Sequence, residues 1–289
     1  MLAMVGSMAA YSVSDALTKL ASKSLPLGEV LAIRGIFTVL LIGALLTVIG
    51  QMRYLRLAMT PLILTRSAFD ALSSGCYVAA LIHMRIAEVA SVVMIAPLIL
   101  TALSVMVYSE DAGWRRWCAV VVGFIGVLFV VKPTPDAFNA WALVALFGTT
   151  LGASREILTR RIDTSMPTLV ITFVSVSMLT MVGCSVGATE HWRPIGWPAM
   201  SYLAVAACFY SLATYLTVLA FRDVIVSSVA PFRYTFLIFA GIAGYLVFRE
   251  LPDGWSAFGA ALIVASGLYA LHREVVRRRE LTATTPAAQ

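Results

Sequence analysis

Long apolar runs alternate with short polar breaks from one end of the chain to the other. Ten apolar segments can be marked, at roughly 1–22, 30–50, 61–83, 87–108, 115–132, 138–160, 167–188, 197–221, 225–248 and 254–272. They approach the roughly 20 residues that a helix needs to cross the hydrocarbon of a bilayer. Lipid offers a backbone amide no hydrogen-bond partner, so an internally bonded helix is the form such runs take. The pattern predicts an all-α integral membrane protein of ten transmembrane helices, with loops too short for an inserted soluble domain. The residues from 273 to 289 carry Arg273, Arg277, Arg278 and Arg279 and then turn Thr/Ala/Pro-rich. They read as a basic, disordered cytoplasmic tail.

The pattern also repeats. Asp15-Ala16-Leu17-Thr18-Lys19 returns as Glu156-Ile157-Leu158-Thr159-Arg160, an offset of 141 residues, and Ser24 and Pro26 return as Ser165 and Pro167. Trp114, Ala119 and Gly126 return as Trp255, Ala260 and Gly267 at the same offset. The match is poor through the third and fourth segments against the eighth and ninth, where Pro97 and Pro231 do not align. The chain therefore divides into a first repeat, 1–132, and a second, 133–272. Each holds five segments, an odd number, so the second copy is expected upside down relative to the first, with a central cavity between them.

Polar positions inside the segments are few. An ionisable group at the bilayer centre costs about 2.5–3.5 kcal/mol on insertion scales, so each needs a partner or a wet cavity. In the third segment Arg66, Asp70, Ser73 and Tyr77 share one helical face. Arg66 and Asp70, one turn apart, can neutralise each other. The stripe either secures packing or lines a solute path. Ser7, Tyr11, Ser14 and Thr18 repeat the spacing in the first segment, as a cavity wall or as interhelical hydrogen bonds. Asp15 and Lys19 read as an interfacial pair, and Arg34 as a snorkelling side chain. The eighth segment aligns Tyr210, Thr214 and Thr217. The ninth holds Ser227, Ser228, Pro231, Arg233, Tyr234 and Thr235, and Pro231 frees the carbonyl of Ser227. Arg233 has no carboxylate one turn away, which makes it the first choice among Arg34, Arg66 and Arg233 for holding a solute carboxylate. Pro97, preceded by Ser91 and Met94, predicts a kink in the fourth segment, with Glu110 in the polar turn beyond. Glu88 reads as loop-exposed and His83 as interfacial.

Composition and charge sharpen this picture. The chain is 60% hydrophobic and 12% charged, against about a quarter charged in a soluble domain. The net charge of +6 does not point to nucleic acid, because the basic residues gather at segment ends. One face would carry Arg53, Arg56, Arg115, Arg116, Arg155, Arg160, Arg161, Arg222 and the four tail arginines, twelve in all. The other would carry Lys19, Lys23, Arg85, Lys132, Arg193 and Arg249, which makes six. The richer face should be cytoplasmic, with both termini inside. Cys76, Cys118, Cys184 and Cys208 lie in apolar segments without metal-binding spacing. HExxH, GxSxG, P-loop and GxGxxG motifs are absent. No enzyme activity, cofactor or metal is expected. The first segment has no basic stretch before it and continues into the repeat, so no cleavable leader is expected.

Two sets of residues carry a resemblance. One is Ala87-Glu88-Val89-Ala90-Ser91 through Ala96-Pro97-Leu98, then Glu110, Trp114-Arg115-Arg116-Trp117 and Gly123-Phe124-Ile125-Gly126-Val127. The other is Val229-Ala230-Pro231-Phe232, Arg249-Glu250-Leu251-Pro252 and Gly259-Ala260-Ala261-Leu262-Ile263. Together they resemble the drug/metabolite transporter superfamily, EamA type, over about residues 1–272. The resemblance implies ten helices in two inverted five-helix repeats and a cavity lined mainly by helices 1, 3, 4, 6, 8 and 9. Members include YddG-like aromatic and neutral amino-acid exporters, riboflavin transporters and S-adenosylmethionine carriers. The expectation is a carrier of the bacterial inner membrane that exports amino acids or similar small metabolites by alternating access. The solute carboxylate would meet Arg233 and its amine Asp70 or the hydroxyls of Ser14 and Ser73. Its apolar part would lie against Tyr77, Met94, Tyr210 or Tyr234, with Tyr11 and Thr214 completing the wall. Alternatives are a vitamin or cofactor transporter, a lipid-intermediate flippase, and a non-transporting scaffold. The partners expected are a small-molecule solute and the bilayer. Oligomeric state is not encoded, and a monomer is compatible with the pattern.

Overall fold

The computed structural model describes residues 1–108, 114–131, 139–163, 165–220 and 230–284. Glu110, Lys132, Arg222, Ser227, Ser228 and Val229, weighed above, lie outside the described residues, as do the side chains of Arg115 and Arg116. Among the described residues the chain is all helix, without a strand. The order is α1 (Leu2–Ala21), α2 (Leu27–Val48), a 3-10 turn (Met52–Leu55), α3 (Pro61–His83), α4 (Ile86–Val93), α5 (Ala96–Tyr108) and α6 (Trp114–Val131). There follow α7 (Ala140–Thr159), α8 (Thr168–Gly187), α9 (Trp197–Ala220), a 3-10 turn (Ala230–Tyr234), α10 (Thr235–Ala243), a π turn (Gly244–Phe248) and α11 (Gly254–Thr284).

Local chemistry sets several of these ends. Pro26 and Pro167, partners in the repeat, each sit in extended backbone immediately before a helix, where a missing N–H costs nothing. Thr60 caps α3 by accepting the Ile63 amide at 3.4 Å, and Asn139 caps α7 by accepting the Trp141 amide at 3.1 Å. The kink expected at Pro97 is the gap between α4 and α5. Proline clashes with the carbonyl four residues back, which here belongs to Val93, the last residue of α4.

Six stretches are long and apolar enough to cross a membrane: Leu27–Val48, Ile86–Val107, Thr168–Gly187, Trp197–Ala220, Pro231–Phe248 and Gly254–Arg273, with Trp117–Val131 a shorter apolar helix. α1, α3 and α7 match them in length but carry Asp15 and Lys19, Arg66 and Asp70, and Arg155 and Glu156. The surface is apolar where a soluble protein's would be polar: Leu40, Val48, Phe147, Met181 and Leu246 are exposed. Such a surface needs a lipid solvent.

The helices pack in pairs distant in sequence: α1 on α9, α2 on α8, α3 on α7, and α6 on α11. Weaker seams join α2 to α9, α3 to α8, α1 to α10, α5 to α7, and α4 to α10. The α6–α11 seam is closest at two glycines. A Cβ on Gly126 would lie 2.8 Å from the Gly259 carbonyl oxygen, so both positions need the absent side chain.

The basic tail differs from expectation. α11 continues through the arginines to Thr284, because Arg and Glu are strong helix formers and no breaker follows Gly267 until Pro286.

Candidate functional site

The buried charged and hydroxyl groups of α1, α2, α3, α7 and α9 face one another inside the apolar shell. At one level lies an ion network. Arg66 Nη1 donates to Asp70 Oδ2 at 2.8 Å and to Ser175 Oγ of α8 at 2.6 Å, and Arg66 Nε to Thr159 Oγ1 of α7 at 3.2 Å. Arg155 Nη1 donates to Asp70 Oδ1 at 2.7 Å, and its Nη2 to Glu156 Oε2 at 3.1 Å. Arg233 lies within electrostatic reach of Glu156. These five side chains are three cations and two carboxylates.

The rest of the α3 stripe continues onto other helices. Ser73 Oγ donates to the Gly148 carbonyl of α7 at 2.7 Å. The Tyr77 hydroxyl, two turns beyond Asp70, donates to Asp15 Oδ2 of α1 in a short hydrogen bond. Arg34 is buried, donates to Thr18 Oγ1 at 3.1 Å, and lies 5.3 Å from the centre of the Tyr210 ring. Tyr210 meets Tyr11 edge-on, centroids 5.6 Å apart, and the Tyr11 hydroxyl shares a 3.2 Å hydrogen bond with Thr214 Oγ1. At the far end Lys19 Nζ donates to both oxygens of Glu250 at 3.0 Å and to the Met84 carbonyl at 2.7 Å. Arg85 lies 3.6 Å from Glu88 and 3.8 Å from Asp253.

The structure sorts the sequence-derived residues. Tyr11, Asp70, Tyr77, Tyr210 and Thr214 come together in this polar interior. Ser14 is fully buried and spends its hydroxyl on the Ala206 carbonyl at 2.9 Å, as Ser7 does on Ala213 at 2.7 Å. Both stitch α1 to α9. Met94 is buried in the main apolar core. Arg233 is exposed on the 3-10 turn at Pro231. Tyr234 is buried, its hydroxyl without a partner among the described residues, lodged against Gly267.

Other expectations are corrected. Lys19 turns to Glu250 rather than to Asp15, because a carboxylate and a carbonyl together satisfy its ammonium better than one neighbour. Arg34 is 5% exposed and does not snorkel, because Thr18 and the Tyr210 ring hold it inside. Glu88 is buried in α4, between Arg85 and Ser256. Arg155, counted on the arginine-rich face, belongs to the Asp70 network. Asp15 and Glu156 were legible as repeat partners, and that was the signal pointing to both.

A cavity of about 720 Å³ opens elsewhere, between α4, α10 and α11. Its walls are apolar apart from Glu88, Ser91, Tyr234, Thr235 and Ser256. Ile238 and Leu268 at its rim are exposed, so it is a groove on the flank of the bundle, separate from the ion network.

The chain is a multi-pass helical membrane protein with charged groups paired between its helices. Residues 1–132 match the EamA-like transporter family. The chain is 29% identical to the S-adenosylmethionine uptake transporter of Rickettsia prowazekii over 62% of its own length, a match that spans 60% of the relative. It is 26% identical to the pseudopaline exporter CntI of Pseudomonas aeruginosa over 89% of this chain and 90% of that one. The riboflavin transporter of Rhizobium johnstonii is 25% identical, covering 75% and 72%. A protein of known crystal structure shares the fold, with a TM-score of 0.56 and 20% identity over 96% of this chain and 97% of that one.

Proposed function

We propose that the chain is a secondary transporter of the bacterial inner membrane, both termini cytoplasmic, that carries a small metabolite with an amino-acid head group by alternating access. The observation that carries this reading is the polar interior of α1, α3 and α7, held inside a shell that is otherwise apolar. Groups so costly in lipid are kept where a polar solute must pass. Two relatives support the solute class: S-adenosylmethionine bears an amino-acid head, and pseudopaline is an amino-acid-derived metabolite. The relatives include both an uptake transporter and an exporter, and direction follows the gradient.

The moving parts would be two inverted five-helix halves. The helix pairing supports this. Exchanging each helix of the first half with its counterpart in the second turns the α1–α9 pair into α7–α3, and α1–α10 into α7–α5. It turns α2–α8 and α6–α11 into themselves. A two-fold axis in the membrane plane would impose that relation. The regions of Pro97 and Pro231 would supply the hinges.

Within this reading Arg233 receives the solute carboxylate. It is exposed, it sits on a 3-10 turn, and its cluster holds one more cation than carboxylates. Asp70, already bound by two arginines, positions Arg155 rather than receiving the amine. The test is uptake by proteoliposomes of labelled amino acids, S-adenosylmethionine and riboflavin. Saturable uptake of the amino-acid-bearing solutes, weakened in Arg233→Ala, is the expected result. Unchanged uptake in both Arg233→Ala and Asp70→Ala removes the site.

The flank groove favours a second reading, a flippase for a lipid-linked intermediate, since an apolar groove open at its rim admits an acyl chain. Exposure of a fluorescent lipid on the opposite leaflet, faster with protein than without, would support it.

A further inference from the structure

We infer that Asp15 receives the positively charged group of the solute, an ammonium or sulfonium. This rests on the transport reading and adds a residue to its site. Asp15 is 5% exposed, yet among the described residues no cation lies within ion-pair distance of it. The two candidates are drawn elsewhere: Lys19, one turn along α1, to Glu250, and Arg34 to Thr18 and the Tyr210 ring. The carboxylate keeps one neutral donor, the Tyr77 hydroxyl on Oδ2. Arg34 stands within electrostatic reach of Asp15 but outside ion-pair distance; a buried carboxylate so weakly compensated is costly, and an arriving cation relieves that cost.

The surroundings suit such a cation. Tyr77 touches the carboxylate, and Tyr11 lies one turn back on the same face of α1, paired edge-on with Tyr210. Tyrosine rings attract onium groups over their faces, and Arg34 already occupies such a position on Tyr210. A neutral solute gains nothing from this arrangement, so Asp15 determines selectivity between charged and neutral cargo.

Full-length protein in liposomes is offered S-adenosylmethionine, leucine and riboflavin, and binding of the first is also measured in detergent. Asp15→Asn keeps an acceptor for Tyr77 and removes only the charge. It should lower S-adenosylmethionine or leucine binding and uptake by about tenfold or more, with the unfolding midpoint and any riboflavin flux unchanged. Asp15→Glu, which keeps the charge on a longer arm, should retain cation uptake but shift the ratio of the two amino-acid solutes. Equal uptake by wild type and Asp15→Asn overturns the inference, as does an equal loss of all fluxes, which marks a structural role. Intact binding with lost uptake overturns it too, since Asp15 would then be a coupling group. An unshifted ratio in Asp15→Glu has the same force. If wild type moves riboflavin alone, the inference falls and transport stands; if it moves nothing, the transport reading falls as well.

Discussion

Asp70 and Asp15 are both carboxylates set among the helices, Asp15 buried and Asp70 partly so, and they are held in opposite ways. Asp70 takes one guanidinium on each oxygen, at 2.8 and 2.7 Å, from α3 and α7. Among the described residues Asp15 takes a single phenol, from α3. The first is a brace between two helices that belong to different halves. The second is a charge kept short of a partner. Removing one member of a buried ion pair strands the other, whereas neutralising an unpaired charge strands nothing. The two positions should therefore answer mutation differently, one in stability and one in selectivity.

The largest effect should come from breaking the brace. Asp70→Ala leaves Arg66 and Arg155 without their shared counter-ion and should cost about 3–5 kcal/mol, seen as a lower unfolding midpoint in detergent. The matching change at Asp15, to Asn, should cost far less, and equal losses at the two sites would erase the distinction drawn here. Next comes the glycine seam of α6 and α11. Gly126→Ala drives a Cβ against the Gly259 carbonyl and should destabilise by about 1–3 kcal/mol, because the neighbour is backbone and yields little. Tyr11→Phe removes the hydrogen bond to Thr214 and should cost about 0.5–1.5 kcal/mol, keeping the ring that faces Tyr210. The smallest effect belongs to Arg85, which is partly exposed. Arg85→Ala should change stability by at most about 1 kcal/mol, less at high salt. A larger loss would mean that this end is sealed more tightly than the pairing around Glu88 implies.

Much of the architecture could be read from the chain because lipid permits so few forms. The apolar segments 61–83 and 197–221 are α3 and α9 almost residue for residue, and Pro97 marks its break. The Arg66–Asp70 pair was also readable, since it is an i,i+4 contact on one helix. Helical spacing says nothing about which helix lies opposite. That is why Arg155 was counted only towards the arginine-rich face and why the Asp15–Tyr77 and Lys19–Glu250 contacts went unseen. Each joins residues 62 or more positions apart in the chain. Arg34 was misjudged for a related reason: its nearness to a segment end suggested water, but Thr18 and Tyr210 from two other helices closed over it. The Asp15–Glu156 correspondence shows what could be recovered: Asp15 is buried and Glu156 pairs with Arg155.

The most direct test of the transport reading is counterflow. Proteoliposomes holding the full-length chain are loaded with an excess of unlabelled S-adenosylmethionine, and entry of the labelled compound, supplied outside at low concentration, is followed with no ion gradient imposed. A carrier that alternates between two faces exchanges solute for solute, so loading should accelerate labelled entry and transiently concentrate it inside. Entry that is indifferent to internal loading for S-adenosylmethionine, and likewise for amino acids and riboflavin tested the same way, would contradict alternating access.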